Sequence, residues 1–548
     1  MIRSVHLLSK LLLICFTACL SLSLMAAPKQ MDMRVDGRSA DREALKAERK
    51  AYHQWLVSER VMAAGRNPLV LQATAEEFDA VDNAPKQSPE IVGFSQEVAV
   101  DVSFRKVKLS NLRGRPHNLE FGALEETSDG GYVYSTELSS PGATGLRVQF
   151  AGFNLPVGGA MFLYTEEGQV FGPYTGRGPF GDGNFDSNTL AGDTITLQIR
   201  QTGPASERAM RETRFRIVGL GHIRPRFMAG ECGFNASCVK NAACGSDPAV
   251  NGAENAVAHM LFRSGRSYYI CSGGLINDND DTNNLPLFLT ANHCISKGRD
   301  ASSLENFFKF ASSGCGDTSL CTASYDSLRS EFGRTLGSSI VSTGSAADYT
   351  LLRLSEAAPS GSVFLGWNEN PVAFSNGVDL HRISHPQGAP QSYSMHEVDT
   401  SAGTCQSWPR GDRIYSRDVV GATEGGSSGS PVVNSAGEIV GQLSGACGTN
   451  LSDNCDAVNN ATVDGAFAAY FSDVEQFLDP DSGGSGCTVT ESPEVSCSDG
   501  QDNDCDGDTD GADTDCATGG LPSGSACQSN GDCASNKCKG KPGSLTCR

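Results

Sequence analysis

The amino-acid sequence predicts an exported, mainly β protein that is built from several domains. Strand-like apolar runs separated by turn residues occur in the first half of the chain and again in its middle. Cysteines are absent from residues 27–231, whereas ten lie from Cys232 to Cys455 and eight from Cys487 to Cys547. Even numbers of cysteines in an exported protein indicate disulfides within each block. A chain of 548 residues is also long enough for at least one large core.

The N-terminus has the features of a secretory signal peptide. The segment MIRSVHLLSK carries Arg3 and Lys10, and the apolar run LLLICFTACLSLSL follows it. We expect cleavage after Ala26 and a secreted protein, extracellular or periplasmic. The sequence FTAC, which ends at Cys19, offers a lipid anchor as the less favoured alternative. No later apolar run reaches the roughly 20 residues that span a bilayer, so we expect no membrane span.

The cysteine blocks and changes in composition divide the chain into six segments. They are a signal peptide (1–26), an N-terminal pro-domain with a helical start followed by strands (27–226), a central domain (227–478), a flexible linker (479–496), an acidic segment (497–516) and a cysteine-rich module (517–548). The first block is α+β, because the charged helical pattern at 37–65 precedes runs such as DTITLQIR. A cysteine-free block ahead of a disulfide-rich domain is typical of a folding aid or inhibitor that is later removed. A permanent accessory β domain is the alternative.

Three elements of the central domain carry possible chemistry. The buried strand in LPLFLTANHC puts His293 just beyond its end, and Asp348 directly precedes the strand-like run Tyr349–Leu354. The third element, GATEGGSSGSPVVN, is a turn of small residues followed by a hairpin. Acyl transfer needs an activated hydroxyl, an imidazole base, an acid that orients the base, and backbone N–H donors for the oxyanion. Glycines let such N–H groups converge without a Cβ in the way.

The motifs TANHC, ADYTLL and GSSGSP, in this order, resemble those of trypsin-like serine proteases of the chymotrypsin fold. Within that family the chain is similar to secreted bacterial lysyl endopeptidases, which share the ANHC, the acid before TLL and the TE ahead of GSSGSP. The resemblance implies two six-stranded antiparallel β-barrels. It also implies an enzyme that is made as a precursor and cleaves protein or peptide substrates. The pro-domain would then be an intramolecular inhibitor or chaperone, and alignment of CGFNASC puts the mature start near Phe227.

The family pattern assigns a role to each residue of the site. Ser428 is the nucleophile, His293 its base and Asp348 the acid that orients His293. The N–H groups of Gly426 and Ser428 form the oxyanion hole, and Ser444 supports the catalytic aspartate. Trypsin-like zymogens carry an aspartate just before the nucleophile, where this chain has the uncharged Ser427. Activation by a buried terminal ammonium is therefore not expected.

The residues that would select the substrate depart from the family. Ala422 stands where trypsin-like enzymes carry a pocket aspartate, and Thr462 stands where lysyl endopeptidases carry theirs. Asp464 reaches the pocket if the local register shifts, and is otherwise a turn residue. A preference for lysine or arginine at the cleaved bond is thus one of two open readings.

The same resemblance implies the disulfides of the central domain. The implied pairs are Cys271–Cys294, Cys238–Cys315 and Cys232–Cys447. Four further cysteines have no counterpart in the family and allow three connectivities: Cys244, Cys321, Cys405 and Cys455.

The acidic segment DNDCDGDTDGAD resembles thrombospondin type 3 repeats. Its acids fall at positions 1, 3, 5, 9 and 12 of a loop with glycine at position 6, a spacing that wraps oxygen ligands around calcium. The predicted ligands are Asp502, Asp504, Asp506, Asp510 and Asp513. A solvated acidic spacer pinned by disulfides is the alternative. Catalysis itself needs no cofactor.

Two classes of function remain from the sequence alone. The first is a secreted serine endopeptidase, and the second is a non-catalytic binding or adhesion protein with an inert protease-like domain. The net charge of −21 disfavours a nucleic-acid partner. The presence of all three triad residues and of the glycines of the turn favours the enzyme.

Overall fold

The computed structural model describes residues 28–38, 42–61, 68–84, 89–224, 235–245, 247–280, 285–316, 333–405, 407–480, 538–541 and 544–547. The chain divides into two compact units. One joins Met1–Asn277 to Asn284–Phe471, and the other joins Asp278–Asn283 to Ser472–Arg548. The first unit therefore contains both the predicted pro-domain and nearly all of the predicted central domain.

The N-terminal block contains both helices and strands. Its elements are β1 (Gln30–Met31), β2 (Arg34–Val35), α1 (Arg42–Glu59), β3 (Leu69–Val70), α2 (Ala75–Asp82), β4 (Glu90–Ser103), β5 (His117–Asn118), β6 (Ala123–Glu126), β7 (Tyr132–Ser139), β8 (Gly145–Asn154), β9 (Gly159–Tyr164), β10 (Val170–Tyr174), β11 (Phe185–Asp186), β12 (Leu190–Ala191), β13 (Thr194–Gln201), α3 (Glu207–Glu212) and β14 (Arg214–Ile223).

Two sheets of this block enclose its core. One has the order β10-β9-β13-β7-β6-β5, and the other includes β8, β14 and β4. Alternation along β13 explains the packing, because Ile195, Leu197 and Ile199 point to one face and join the buried cluster. On the opposite face, Gln198 donates through Nε2 to the carbonyl of Leu56 on α1 (3.2 Å). The predicted helix thus covers the outer face of the first sheet.

The first part of the central domain consists of strands and two short helices. They are β15 (Lys240–Asn241), α4 (Ala253–Ala256), β16 (Val257–Ser264), β17 (Ser267–Leu275), β18 (Leu287–Ala291), α5 (Gly298–Ser302), β19 (Glu305–Phe308), β20 (Arg334–Leu336), β21 (Ser338–Gly344) and β22 (Tyr349–Leu354). The strands pair in the order β19-β16-β17-β18-β22-β21, and β20 pairs with β19. Met260, Phe288 and Leu352 are buried together between them.

The remaining elements of the central domain follow. They are β23 (Val363–Phe364), β24 (Trp367–Asn368), β25 (Asp379–Ser384), β26 (Ser392–Val398), β27 (Arg413–Val420), β28 (Pro431–Val433), β29 (Ile439–Gly448), β30 (Asn460–Ala466) and the C-terminal helix α6 (Phe467–Leu478). Six of these strands close into an antiparallel barrel in the order β25-β26-β27-β30-β29-β28, because β28 returns to pair with β25. The prediction of a mainly β fold is confirmed.

The second unit is described only in part. Within it, the Asn279 N–H donates to the carbonyl of Leu478 (2.9 Å), and a hairpin pairs β31 (Cys538–Lys541) with β32 (Ser544–Cys547). The predicted calcium ligands Asp502–Asp513 lie outside the described residues. Of the helices that are described, none is long and apolar enough to cross a membrane.

The N-terminal block continues the sheet of the central domain. Its strand β4 pairs with β17, with Phe94 opposite Ser267 and Glu90 opposite Ile270. A short N-terminal segment adds further pairs, with β1 against β24 and β2 against β23. Backbone hydrogen bonds thus join the two domains at two separate edges.

A buried carboxylate reinforces this junction. Glu305 on β19 accepts from the Thr189 N–H (2.9 Å), the Thr189 hydroxyl (2.6 Å) and the Asn188 amide (2.9 Å) of the N-terminal block. Its side chain is fully buried, and Arg334 supplies the nearby positive charge (3.3 Å). A buried carboxylate needs such donors, because burial without them costs several kcal/mol.

We predict that Glu305→Gln destabilises the intact chain. The amide of glutamine would place an N–H donor against the donors of Asn188 and Thr189. We therefore expect a loss of about 1.5–3 kcal/mol in the free energy of unfolding. Urea unfolding of the full chain measures this loss. The exposed Glu397→Gln on β26 is the matched control, and equal unfolding midpoints for the two variants would contradict the prediction.

Candidate active site

Two strand ends bring His293 and Asp348 together. Strand β18 ends at Ala291, two residues before His293, and pairs with β22, which begins directly after Asp348. Ala291 lies opposite Tyr349 in this pairing. The His293 ring nitrogen Nδ1 lies 2.8 Å from Asp348 Oδ2, and the His293 backbone N–H donates to Asp348 Oδ1 (2.9 Å). A carboxylate in this position fixes the ring and its tautomer, leaving Nε2 to exchange a proton with a hydroxyl.

Asp348 adopts a left-handed backbone conformation, with φ of 57°. Such a conformation is costly for a residue with a Cβ and persists only where the surroundings hold it. The Asp348 carbonyl accepts from the Asn292 N–H (3.0 Å) and from Gln442 Nε2 (3.0 Å). The Tyr470 hydroxyl in turn donates to Gln442 Oε1 (2.6 Å). Burial raises the pKa of Tyr470 well above its ordinary value, so this hydroxyl stays a donor.

The prediction that Ser444 supports the aspartate is wrong. The Ser444 hydroxyl is buried and has no hydrogen-bond partner within the described part of the chain. The pairing of β29 with β30 shifts register between Leu443 and Gly445, and such a bulge redirects the side chain at its centre. Instead, Gln442, two residues before Ser444, donates to the backbone carbonyl of Asp348.

The glycine turn places Ser428 against the strands that lead to His293. The Ser272 N–H of β17 donates to the Ser428 carbonyl (2.8 Å), and the Gly429 N–H donates to the Leu443 carbonyl (2.8 Å). Gly429 has φ of 79°, and a Cβ there would lie 2.7 Å from the backbone nitrogen of Ala291. Only glycine combines this φ with so close an approach. Ser428 is thus held beside the end of β18, the strand that precedes His293.

The peptide before Gly426 is held in one orientation. The Gly425 carbonyl accepts from the Gln387 N–H (2.6 Å) of the 3₁₀ turn Pro386–Gly388. Because N–H and C=O point in opposite directions across a trans peptide, the Gly426 N–H points away from Gln387. The Gly426 carbonyl accepts from the Ser272 hydroxyl (2.8 Å). A donor fixed in this way is suited to an oxyanion.

Glu424 connects this turn to the start of the central domain, and sequence reasoning assigned it no role. Its carboxylate accepts from Asn235 Nδ2 (2.7 Å), the Ala236 N–H (3.1 Å) and Asn454 Nδ2 (3.0 Å). Asn235 also donates to the Pro386 carbonyl (3.0 Å), next to the residue that holds Gly425. The TE ahead of the glycines was the only sequence signal for this contact.

Ser427 is buried, and its hydroxyl accepts from the Ser384 hydroxyl (3.1 Å) and the Glu424 N–H (3.4 Å). Neutral groups therefore satisfy the position where trypsin-like zymogens have an aspartate.

The disulfides differ in part from the predicted ones. Cys271–Cys294 is present and joins β17 to the residue after His293. The predictions Cys238–Cys315 and Cys232–Cys447 are wrong, because the structure has Cys238–Cys455, Cys244–Cys315 and Cys405–Cys447. Cys232 and Cys321 lie outside the described residues. The bridge Cys238–Cys455 joins the two segments that supply the hydrogen-bond partners of Glu424, one with Asn235 and Ala236 and the other with Asn454.

Neither predicted pocket residue is placed to bind a charged substrate. Asp464 is fully buried, and its Oδ1 accepts from Arg382 Nη2 (2.5 Å), so its charge is neutralised inside the barrel. The register shift between β29 and β30 lies next to Asp464, but it does not expose the side chain, which pairs with Arg382 and is fully buried. Ala422 is buried and carries no charge.

Within the described residues, one group of side chains has spacing suited to a metal ion, Cys271 with His293 and Cys294. Because both cysteines are in a disulfide, they have no thiolate to offer.

Together, the mainly β fold and the His293–Asp348 pair beside the Ser428 turn define the class of the protein as a trypsin-like serine protease. Comparison with known proteins agrees with this class. Residues 228–460 match the family model of the lysyl endopeptidase C-terminal domain. The chain is 27% identical over 376 residues to a lysyl endopeptidase of Pseudomonas aeruginosa, covering 65% of this chain and 77% of that protein. The protein is a serine-type endopeptidase.

Other similarities are weaker. Secreted RxLR effector protein 73 of Plasmopara viticola is 25% identical over 276 residues, which cover 47% of this chain and 63% of that protein. The HtrA-type protease AlgW with a tripeptide has a TM-score of 0.31 and 16% identity, covering 42% of this chain and 62% of that one. A protease from M. tuberculosis in its active form has a TM-score of 0.29 and 14% identity, covering 44% and 92%. Structural similarity this low has no bearing on function.

We predict that Glu424→Gln lowers kcat roughly 10- to 100-fold and leaves KM nearly unchanged. The amide would set a donor against the donors of Asn235 and Asn454, a loss of about 1.5–3 kcal/mol that loosens the turn carrying Ser428. Steady-state kinetics on a peptide substrate measures both constants.

The matched control is Glu438→Gln, because Glu438 also accepts from two asparagine amides, those of Asn368 and Asn434, but on the β28–β29 hairpin. Similar losses of kcat in both variants would contradict a specific role for Glu424.

Proposed function

We propose that the protein is a secreted endopeptidase, made as a precursor, that hydrolyses peptide bonds through Ser428, His293 and Asp348. The observation that carries this proposal is the hydrogen-bonded pair of His293 and Asp348 beside the turn that holds Ser428. In the reaction, His293 takes the Ser428 proton as Oγ attacks the carbonyl carbon of the substrate. His293 then protonates the leaving amine, and the same residue activates the water that hydrolyses the acyl-enzyme.

The N–H groups of Gly426 and Ser428 form the oxyanion hole of this proposal. The orientation of the 425–426 peptide supports the assignment for Gly426, since its carbonyl is held by Gln387 on the other side. One such donor contributes about 3–4 kcal/mol to transition-state stabilisation in comparable enzymes.

The N-terminal block acts in this proposal as a folding aid that is later removed. Its contacts support that role, because β4 adds to β17 and Glu305 receives donors from Asn188 and Thr189. These contacts lie on strands β17 and β19. The cleavage point near Arg226 and inhibition by the block remain proposals that rest on the sequence.

Export is supported by the four disulfides among the described residues, which are stable in an oxidising compartment. The signal-peptide pattern adds to this support. Extracellular and periplasmic destinations are both consistent with it.

For the substrate, we favour a protein or peptide with lysine or arginine before the cleaved bond. The relative from Pseudomonas aeruginosa is described as a lysyl endopeptidase. The two pocket residues expected from the sequence, Ala422 and Asp464, do not account for such a preference in this chain.

A fluorophosphonate probe distinguishes this enzyme from the alternative, an inert binding or adhesion protein. We predict covalent labelling of the processed protein and its complete loss in Ser428→Ala, because the probe reacts only with an activated serine. The exposed Ser435→Ala on the adjacent hairpin is the control and should label like the wild type. Absence of labelling in the processed wild type would refute the enzyme.

We also propose that the acidic tail binds calcium through Asp502, Asp504, Asp506, Asp510 and Asp513, on the loop spacing alone. We predict that the full chain binds calcium in equilibrium dialysis and that a double variant, Asp502→Asn with Asp504→Asn, binds less. Unchanged binding by the double variant would exclude this loop as the site.

A further inference from the structure

A preference for a cationic side chain requires an unneutralised carboxylate near the nucleophile. Asp464 does not meet this requirement, because Arg382 forms an ion pair with it in the barrel interior and both side chains are fully buried. The carboxylate must also keep some contact with solvent, since a substrate has to reach it. Asp418 on β27 meets both conditions.

Asp418 lies on the strand that precedes the turn of Ser428 in the chain. Strand β27 ends at Val420 and leads directly into the turn that carries the nucleophile. On the other side of that turn, the Leu443 N–H donates to the Ser430 carbonyl, so β29 runs from the nucleophile towards Ala446. Ala446 lies opposite Thr462 on β30.

A hydrogen bond then joins Thr462 to Asp418. The Thr462 hydroxyl donates to Asp418 Oδ1 (2.7 Å), so the carboxylate lies between the segments that precede and follow the nucleophile. The side chain of Asp418 retains 15% exposure, whereas His396 beside it has none.

Both recorded bonds of this carboxylate use the same oxygen. Asp418 Oδ1 accepts from Thr462 and lies 2.7 Å from His396 Nδ1. Among the described residues, none forms a hydrogen bond with Oδ2 of Asp418. This oxygen is also not one of the fully buried polar atoms. Oδ2 is therefore the atom that a ligand can reach.

The hydrogen-bond partners of His396 are compatible with a negative charge on Asp418. His396 Nε2 lies 2.8 Å from the Ser394 hydroxyl. A neutral imidazole satisfies both contacts, with Nδ1–H donating to Asp418 and Nε2 accepting from Ser394. Burial acts to raise the pKa of Asp418, but the contact with His396, the hydrogen bond from Thr462 and the positive charge of Arg382 outweigh it, and the pKa lies below its usual value.

We propose that Asp418 is the specificity-determining acid of the substrate pocket, where its Oδ2 receives the ammonium or guanidinium group of the residue before the cleaved bond. His396 and Thr462 are positioning residues that fix the carboxylate through Oδ1. This proposal rests on the proposed endopeptidase function and names the residue that selects its substrate.

The first test compares matched peptide substrates in wild type and Asp418→Asn. The substrates differ only at the residue before the cleaved bond, which is lysine, arginine or the neutral, similarly shaped norleucine. We expect kcat/KM for lysine and arginine to fall about 100-fold or more in the variant, as on loss of one partner of a partly desolvated charge pair. We expect kcat/KM for norleucine to stay within about threefold.

The control is Asp379→Asn, an exposed acid at the start of β25 in the same barrel, which should keep the wild-type preference. Fluorophosphonate labelling of Asp418→Asn at the wild-type rate shows that the nucleophile is intact. Equal losses for all three substrates, or an unchanged preference for lysine and arginine, would overturn the proposal.

A second measurement uses only the wild type, so that it holds even if the variant does not fold. Benzamidine, a cation, should slow fluorophosphonate labelling of the processed protein at least tenfold more effectively than the neutral benzamide. Equal protection by the two compounds would overturn the role of Asp418. A wild type that does not label at all would instead refute the endopeptidase function itself.

Discussion

The close approach of the Gly429 backbone to β17 and β18 is the contact on which the rest of the site depends. The Ser272 N–H donates to the Ser428 carbonyl, and a Cβ on Gly429 would lie 2.6 Å from the Ser272 carbonyl oxygen. No side chain fits this space, so the turn and the strands approach at backbone distance. The same strands lead to His293. The glycine that follows Ser428 thus sets the relation between two segments more than a hundred residues apart.

The sequence predicted the triad residues because each stands at a strand end or in a turn, where local patterns are informative. The predicted run Tyr349–Leu354 is the observed β22, and the strand predicted within LPLFLTANHC is the observed β18, Leu287–Ala291. Ser444 was assigned wrongly because its orientation depends on a bulge in β29, which arises from pairing with a distant strand. Two disulfide predictions were wrong for a similar reason. The family has no counterpart for Cys405 or Cys455, and these two cysteines pair with Cys447 and Cys238, to which the resemblance assigned other partners.

Two acids of the β25–β30 barrel, Asp464 and Asp418, show why specificity was harder to predict than the His293–Asp348 pair. Asp464 stands near the position of the family's acid, but Arg382 is 82 residues away in sequence and neutralises it inside the barrel. Asp418 has no motif around it, and only the folded barrel places it against Thr462. Electrostatic roles depend on which charges are paired and which are left over, and that balance is a property of the packed structure.

The contacts of Glu424 bear on how a precursor of this kind is activated. In a zymogen whose turn is ordered by a new terminal ammonium, cleavage creates the charge that the acid needs. Here the Glu424 carboxylate already accepts from Asn235, Ala236 and Asn454 in the uncleaved chain. These donors are neutral amides whose hydrogen bonds do not depend on a free N-terminus. The turn that carries Ser428 is therefore held without a free N-terminus, and in the proposed precursor the removal of the N-terminal block would act on access to the site or on the release of the folded domain. In the proposed precursor, activation would therefore require the separation of two domains whose sheets are continuous, and the β4–β17 pairing is one of the interactions that must be broken.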